Sequence, residues 1–151
     1  MVWLGACSMG ITPLVIFEER TVDHAQYIKE ILSVALDYGN TVFGSDWTFQ
    51  QDGARSHIHH LTQEWCREHF PAFPNQCQWP RNSPDLNPLD YCIWTELAEA
   101  IKWEKVVSKK SLIEELKCAT KLIRLEVVFE SCDSWTSRLH RISKNNGNYV
   151  D

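Results

Sequence analysis

Residues 79–94 read WPRNSPDLNPLDYCIW, and this stretch decides how the rest of the chain is interpreted. Each proline in it holds the preceding residue out of the helical region, so 83–88 is predicted to be a stiff loop. The loop leads to Asn87, a good N-cap residue, and Pro88 suits the first position of a helix. The pattern therefore predicts a helix over 88–102 with Asp90 in its first turn.

A second acidic position lies in the stretch FQQDGARSH at residues 49–57. Asp52 follows an apolar run and precedes Gly53, so it is predicted to end a strand, where sites in α/β folds commonly form. Two carboxylates converging from a strand end and a helix start could bind Mg²⁺, a hard ion that takes oxygen ligands. The alternative is structural, because an acid in the first turn of a helix favours the helix dipole and aspartate before glycine is a common turn residue.

Short apolar runs and stop signals predict the remaining elements. Residues 2–17 indicate a β-hairpin that turns near Gly10, and the 3–4 spacing of apolar residues after Asp23 indicates a helix that stops at Gly39. Further along, the sequence predicts a strand over 42–52, a helix over 61–70, a brief extended piece over 76–79, a helix with a Ser111–Glu114 capping box, and one helix with its apolar stripe over 128–142. This order of strands and helices predicts an α/β or α+β fold.

Composition is that of one ordinary domain, since the 151 residues are 44% hydrophobic and 23% charged. The net charge of −5 gives no global basic field for nucleic acid. Residues 108–151, however, carry eight basic and six acidic side chains and could hold a local basic surface. The six cysteines form no C-x-x-C pair, so they are expected to be reduced and mostly buried. The spacing of His57, His59, His60 and Cys66 matches no zinc-binding pattern. No run of residues suits a membrane span or signal peptide, which favours an intracellular protein.

The two quoted stretches resemble the catalytic core of mariner-type cut-and-paste DNA transposases. Weaker similarities lie at residues 2–5, 12–14, 111–112, 135–139 and 146–151, so the resemblance extends over nearly the whole chain. It implies an α/β, ribonuclease-H-like mixed sheet with flanking helices, in which three carboxylates bind two divalent ions, Mg²⁺ or Mn²⁺. Asp52 matches the second carboxylate and Asp90 the third. His57 matches a position that is either close behind the metal ligands or at the start of a helix, and Arg55 stands where the family often has proline.

The resemblance also implies what this sequence does not match. In that family the first catalytic aspartate lies on a central first strand, upstream of the segment matched by 2–5, and helix-turn-helix DNA-binding domains precede it. Met1 directly precedes Val2, so we expect residues 1–151 to form a single partial catalytic domain that lacks this strand and binds metal weakly or not at all. Asp46 would lie about 20 Å from Asp52 along an extended strand, too far to substitute.

Three functions follow as hypotheses. The first is an inactive remnant of a transposase catalytic domain, related by descent to nucleic acid binding, DNA integration and DNA transposition. The second is a fragment of an active metal-dependent transposase, and the third is a DNA- or protein-binding module that uses the basic residues of 108–151. The resemblance implies transposon-end DNA as partner, a possible homodimer, no membrane association and a nuclear location.

Overall fold

The structure is a computed structural model, and it describes residues 1–19, 21–80 and 82–145. The weak similarity at 146–151 therefore lies outside the described residues. The chain divides into two compact units. The first unit comprises Met1–Leu4 and Val15–Asn82, and the second comprises Gly5–Leu14 and Ser83–Asp151.

The N-terminal residues form the predicted hairpin, in two short antiparallel ladders. Strands β1 (Val2–Trp3) and β4 (Val15–Ile16) pair in the first unit, and β2 (Ala6–Cys7) and β3 (Gly10–Ile11) pair in the second. Gly10 has a φ of 139°, which explains the glycine after the turn.

The register shifts by one residue from one ladder to the next, because two residues separate the ladders on the first side of the hairpin and three separate them on the returning side. Thr12 fills this bulge: its N–H donates to the Gly5 carbonyl, and its side-chain Oγ1 accepts from the Gly5 N–H at 2.8 Å. Pro13 follows and has no N–H to continue a ladder. The continuous mixed sheet expected from the resemblance is therefore not formed within the described residues, which contain only these two ladders and one isolated parallel bridge.

A long helical segment follows in the first unit, and it continues past the predicted stop. It consists of α1 (His24–Gln26), a π-helical stretch Tyr27–Leu32 and α2 (Ser33–Phe43). Asp23 caps it as predicted, since its side chain accepts from the Gln26 N–H at 2.8 Å. The helix ends at Gly44, whose φ is 64°, and not at Gly39. Gly39 is a glycine for a different reason, because the ring of Trp47 packs against it.

The strand predicted over 42–52 is wrong. Residues 42 and 43 are helical, and the extended segment after them forms a single bridge, Thr48 to Ala72, with the Phe49 N–H donating to the Ala72 carbonyl at 2.9 Å. The next helix, α3 (His60–His69), lies close to the prediction, and the His59 side chain caps it. Residues 76–78 form a turn, not an extended piece.

The first unit has a well-defined apolar core around α1, α2 and α3. Tyr27, Leu32 and Cys66 are fully or almost fully buried in it. The Phe49 ring stacks on Phe70 at 4.2 Å, so the segment that leads to Asp52 is anchored by aromatic packing and only one backbone pair.

The second unit is helical apart from its hairpin tip. Its elements are a 3-10 turn at Pro84–Leu86, a π-helical stretch Leu89–Ile93 that continues as α4 (Trp94–Ala100), a 3-10 turn at Trp103–Lys105, α5 (Lys109–Thr120), α6 (Leu125–Asp133) and α7 (Trp135–Lys144). The helix predicted over 88–102 is thus present, slightly shorter than expected. In the part of the chain that the structure describes, no helix is both long enough and apolar enough to cross a membrane.

Two details of the C-terminal helices differ from the prediction. The capping box forms one turn earlier, with Ser108 as N-cap and Ser111 as its partner, and Ser111 does not pair with Glu114. The apolar stripe of 128–142 lies on two helices, because the chain turns at Ser134. Buried Ile93, Leu97, Ala119 and Val128 form the core of this unit.

Candidate functional site

Asp52 lies in an irregular segment of the first unit, between Phe49 and a turn that starts at Ala54. One carboxylate oxygen, Oδ1, makes two contacts: it accepts from the Ala54 N–H at 3.0 Å and lies 2.6 Å from Nδ1 of His57. The Asp52 side chain is 45% exposed, whereas that of His57 is 16% exposed. The carboxylate is therefore held by its neighbours while it faces solvent.

These contacts change the acidity of Asp52. The close contact with the His57 side chain lowers the pKa of the Asp52 carboxyl below its ordinary value, and the Ala54 N–H and the charge of His57 act in the same direction. Partial burial opposes them by raising the pKa, but the net shift is downward. Asp52 is thus an ionised carboxylate at neutral pH, which is the form that a metal ion binds.

His57 lies before helix α3 and not at its start, because the helix begins at His60. Its ring packs against the ring of Tyr27 with centroids 4.4 Å apart. Its carbonyl oxygen accepts hydrogen bonds from the side-chain amides of Gln51 and Gln63. The structure thus brings Asp52 and His57 together, whereas sequence reasoning missed the residues that support His57.

Asp90 lies in the second unit, in the first turn of the π-helical stretch Leu89–Ile93. Asn87 acts as the cap, since its Oδ1 accepts from the Leu89 N–H at 3.2 Å and its Nδ2 donates to Oδ2 of Asp90 at 2.9 Å. The Asp90 N–H also donates to the Asn87 carbonyl at 2.9 Å. Asp90 is exposed, and its local geometry agrees with the capping arrangement that the sequence predicts.

Helices α6 and α7 hold the segment that carries Asp90. The Trp135 Nε1–H donates to the carbonyl of Leu86 at 2.9 Å, and the Tyr91 hydroxyl donates to the carbonyl of Ser131 at 2.5 Å. The guanidinium of Arg138 lies 3.9 Å from the centre of the Tyr91 ring, a cation–π contact. The start of the Asp90 helix is therefore fixed by side chains far away in sequence.

The donor chemistry of both aspartates suits a divalent ion, because carboxylate oxygens are the ligands that Mg²⁺ and Mn²⁺ prefer. At Asp52, both contacts described above use Oδ1, so a metal ion could bind Oδ2 without breaking either. Asp52 belongs to the first unit and Asp90 to the second. Among residues 1–19, 21–80 and 82–145, no group of three or more His, Cys, Asp or Glu side chains could hold a metal ion.

The other residues considered from sequence have structural contacts. His59 stacks on His24 at 3.7 Å and lies beside His60, and Cys66 is buried in the core of the first unit. In the basic C-terminal part, Arg124 forms a two-pronged ion pair with Glu96, the shortest contact being 2.9 Å. This pair raises the pKa of the exposed Arg124 guanidinium.

Comparison with known proteins connects this chain to transposases. No model of a known protein family matches the sequence. The Tcb1 transposase of Caenorhabditis briggsae is 28% identical over 140 residues, which cover 91% of this chain and 49% of that protein. The Tcb2 transposase of the same organism is 22% identical over 142 residues, 94% of this chain and 50% of that protein. The chain thus spans about half the length of these two relatives.

Solved structures of the Mos1 transposase share the fold. Its catalytic domain, in a structure with raltegravir and Mn, superposes with a TM-score of 0.79 at 18% identity, covering 99% of this chain and 78% of that one. A pre-cleavage Mos1 transpososome gives a TM-score of 0.80 at 17% identity, with 99% and 44% covered. These likenesses show that the chain has the fold of the Mos1 catalytic domain, and together with the Tcb1 and Tcb2 similarity they lead to one conclusion. The chain is homologous to about half of the Tcb1 and Tcb2 transposases and shares the fold of the Mos1 transposase catalytic domain.

Proposed function

We propose that this chain contributes the second and third carboxylates, Asp52 and Asp90, to the catalytic site of a mariner-type DNA transposase. The observation that carries the proposal is the geometry of Asp52, a half-exposed carboxylate held through Oδ1 by His57 and Ala54. Homology to Tcb1 and Tcb2 makes transposition the relevant chemistry. Solved Mos1 structures contain Mn or Mg and transposon ends, which supports a divalent ion and DNA as the ligands.

In this proposal Asp52 and Asp90 are metal ligands and not general bases. A bound divalent ion would activate a water for phosphodiester hydrolysis and stabilise the oxygen that leaves. Asp52 would use Oδ2, and His57 would keep Oδ1 in place. Asn87 would orient Asp90 through the Nδ2 contact to its carboxylate.

We further propose that the 151-residue polypeptide assayed alone does not cut DNA efficiently. Its two motif blocks, residues 49–57 and 79–94, match only two of the three carboxylates that the family resemblance implies, so divalent ions should bind weakly. The residues would then form the part of a ribonuclease-H-like sheet that follows its first strand. A homodimer on transposon-end DNA and a nuclear location belong to the same proposal, and size determination with that DNA and imaging of a tagged chain test them.

Metal binding and cleavage need separate experiments. Mn²⁺ binding is measured by electron paramagnetic resonance on the wild-type polypeptide and on Asp52→Asn and Asp90→Asn. Asp46→Asn is the matched control, since Asp46 is exposed and lies outside both motif blocks. Weak binding that either active-site substitution reduces, and that the control leaves alone, is expected. Binding unchanged by both substitutions would overturn the assignment of the ligands.

Cleavage is then tested with labelled transposon-end DNA in Mg²⁺ or Mn²⁺. The 151-residue polypeptide is compared with a version extended by the upstream reading frame, if that frame encodes a strand with an aspartate. Little or no cutting by the shorter polypeptide is expected. Robust cutting by it that depends on Asp52 and Asp90 would show that the short chain is an active enzyme and would refute the inactivity proposal alone.

A further inference from the structure

We infer that Tyr27, Gln51 and Gln63 are positioning residues: a hydrogen-bonded support that fixes His57 against Asp52. The inference rests on the proposed function only where it concerns metal affinity, since the support itself is a matter of geometry. The described contacts of the Asp52 carboxylate are with Ala54 and His57, and none is with these three side chains. Each would act through His57.

The support converges on one backbone atom, the carbonyl oxygen of His57. It accepts from Nε2 of Gln63 at 2.9 Å and from Nε2 of Gln51 at 3.2 Å. A carbonyl oxygen has two lone pairs, so these two amides satisfy it fully. The backbone at His57 is thereby held from two directions, by a residue of the preceding segment and by one of helix α3.

Each glutamine is itself held at its other end. Oε1 of Gln51 accepts from the Tyr27 hydroxyl at 2.7 Å, and Oε1 of Gln63 accepts from the Gln76 N–H at 3.0 Å. At Gln63 this fixes the amide in one orientation, because the Gln76 N–H can only donate and the His57 carbonyl can only accept. Tyr27 and Gln63 are 1% and 6% exposed, so water does not readily replace these bonds.

Tyr27 acts on His57 a second time, through its ring. The two ring centroids are 4.4 Å apart with an interplanar angle of 34°. The imidazole is thus packed on one side by Tyr27, while its backbone is tied to the same tyrosine through Gln51. The result of both constraints is the 2.6 Å distance between Nδ1 of His57 and Oδ1 of Asp52.

The test uses Gln63→Leu and Tyr27→Phe in the full 151-residue polypeptide. The leucine removes both the hydrogen-bond donor and the acceptor of the Gln63 amide. The phenylalanine keeps the ring and its volume but removes the Tyr27 hydroxyl. Gln50→Leu is the matched control, because Gln50 is a neighbouring amide that makes none of these bonds. Circular dichroism verifies that each variant folds.

Two readouts are measured. Long-range ¹H–¹⁵N spectra of the imidazole report the contact at Nδ1 of His57, and electron paramagnetic resonance reports Mn²⁺ affinity. Both network variants should shift the His57 Nδ1 resonance. They should also weaken Mn²⁺ binding by about tenfold, the lower end of the effect of residues behind metal ligands. The control should leave both readouts at wild-type values.

A Gln63→Glu variant separates the two ends of the amide. It keeps the acceptor for the Gln76 N–H but loses the donor to the His57 carbonyl, so it should shift the His57 resonance as the leucine does. Folded Gln63→Leu and Tyr27→Phe proteins with an unchanged His57 resonance would overturn the inference.

The failure of the inference and that of the proposed function give different results. If Asp52→Asn abolishes Mn²⁺ binding while the network variants change neither readout, the support is wrong and the metal ligand is right. If the network variants shift the His57 resonance while Asp52→Asn leaves Mn²⁺ binding intact, the support is right and the proposed metal ligand is wrong.

Discussion

Replacing Gly39 by alanine should destabilise the first unit, although alanine is the better helix former. A Cβ built on Gly39 would lie 2.4 Å from Cζ2 of Trp47 and 2.5 Å from Cε2, well inside van der Waals contact. The indole cannot easily retreat, because its Nε1–H is bonded to the Asn40 side chain at 3.1 Å and to the Gly44 carbonyl at 3.2 Å. Its ring also packs edge-on against Phe70 with centroids 5.3 Å apart.

The expected loss of stability in Gly39→Ala has three contributions. Overpacking of a filled site costs about 1–3 kcal/mol, and displacement of the indole from its hydrogen bonds adds about 1 kcal/mol. Alanine in place of glycine within a helix returns about 1 kcal/mol. The free energy of unfolding of Gly39→Ala should therefore fall by about 1–3 kcal/mol, which lowers the Tm by about 2–4 °C for each kcal/mol.

Urea unfolding followed by circular dichroism measures this change, and Gly53→Ala serves as the control because a Cβ there would meet no atom within 4 Å. The control should unfold close to wild type. In a Trp47→Leu background, where the ring is gone, Gly39→Ala should cost much less. A Gly39→Ala protein as stable as wild type, or one whose cost persists without the indole, would refute the account of this glycine.

Three further changes test other contacts. His57→Ala should raise the pKa of Asp52 toward its ordinary value, as measured by carboxyl NMR titration. Because the contact with His57 lowers the folded-state pKa, its stabilisation is present above the unfolded-state pKa and is lost as the pH falls through the folded-state pKa. The difference in stability between His57→Ala and wild type should therefore close in acid. Ser108→Ala should cost about 1 kcal/mol in urea unfolding through loss of the α5 cap, and an unchanged midpoint would contradict the observed box. Trp135→Phe should cost about 1–3 kcal/mol, because the Leu86 carbonyl loses its donor, and a neutral result would contradict that role.

Local patterns predicted the elements whose determinants lie within a few residues. The hairpin, the Asp23 cap and the start of the Asp90 helix each depend on neighbours in sequence, and each is present. Gly39 was misread as a helix stop because its partner, Trp47, approaches from beyond the end of the same helix. Nothing in a 3.6-residue period shows that approach.

Other errors came from features that compete locally. Residues 47–52 have the composition of a strand, but their aromatic side chains pack on Phe70, which directly follows α3, and only one backbone bridge forms. The sequence allowed Ser111 as the cap, but Ser108, three residues earlier, is the N-cap, and its side chain accepts a hydrogen bond from the Ser111 N–H. A Glu114→Ala change should accordingly be close to neutral.

The candidate site was only partly visible in the sequence. Asp52, His57 and Asp90 stood out through the two motif blocks, and the structure places a polar side chain beside each carboxylate. Tyr27 and Gln63 gave no signal: the tyrosine read as one member of an apolar helix face, and an isolated glutamine in α3 belongs to no motif. Their role emerges only when three separate segments meet at the His57 carbonyl.

The residues that hold each acid lie close to it in the sequence. Asp52 is positioned by residues two and five places further on, and Asp90 by a residue three places before it. Each block thus supplies the contacts described here for its own carboxylate. Their more distant supports, such as Tyr27 and Trp135, contribute a hydrogen bond or a packed ring from other segments of the chain, so the two blocks alone do not fix the site.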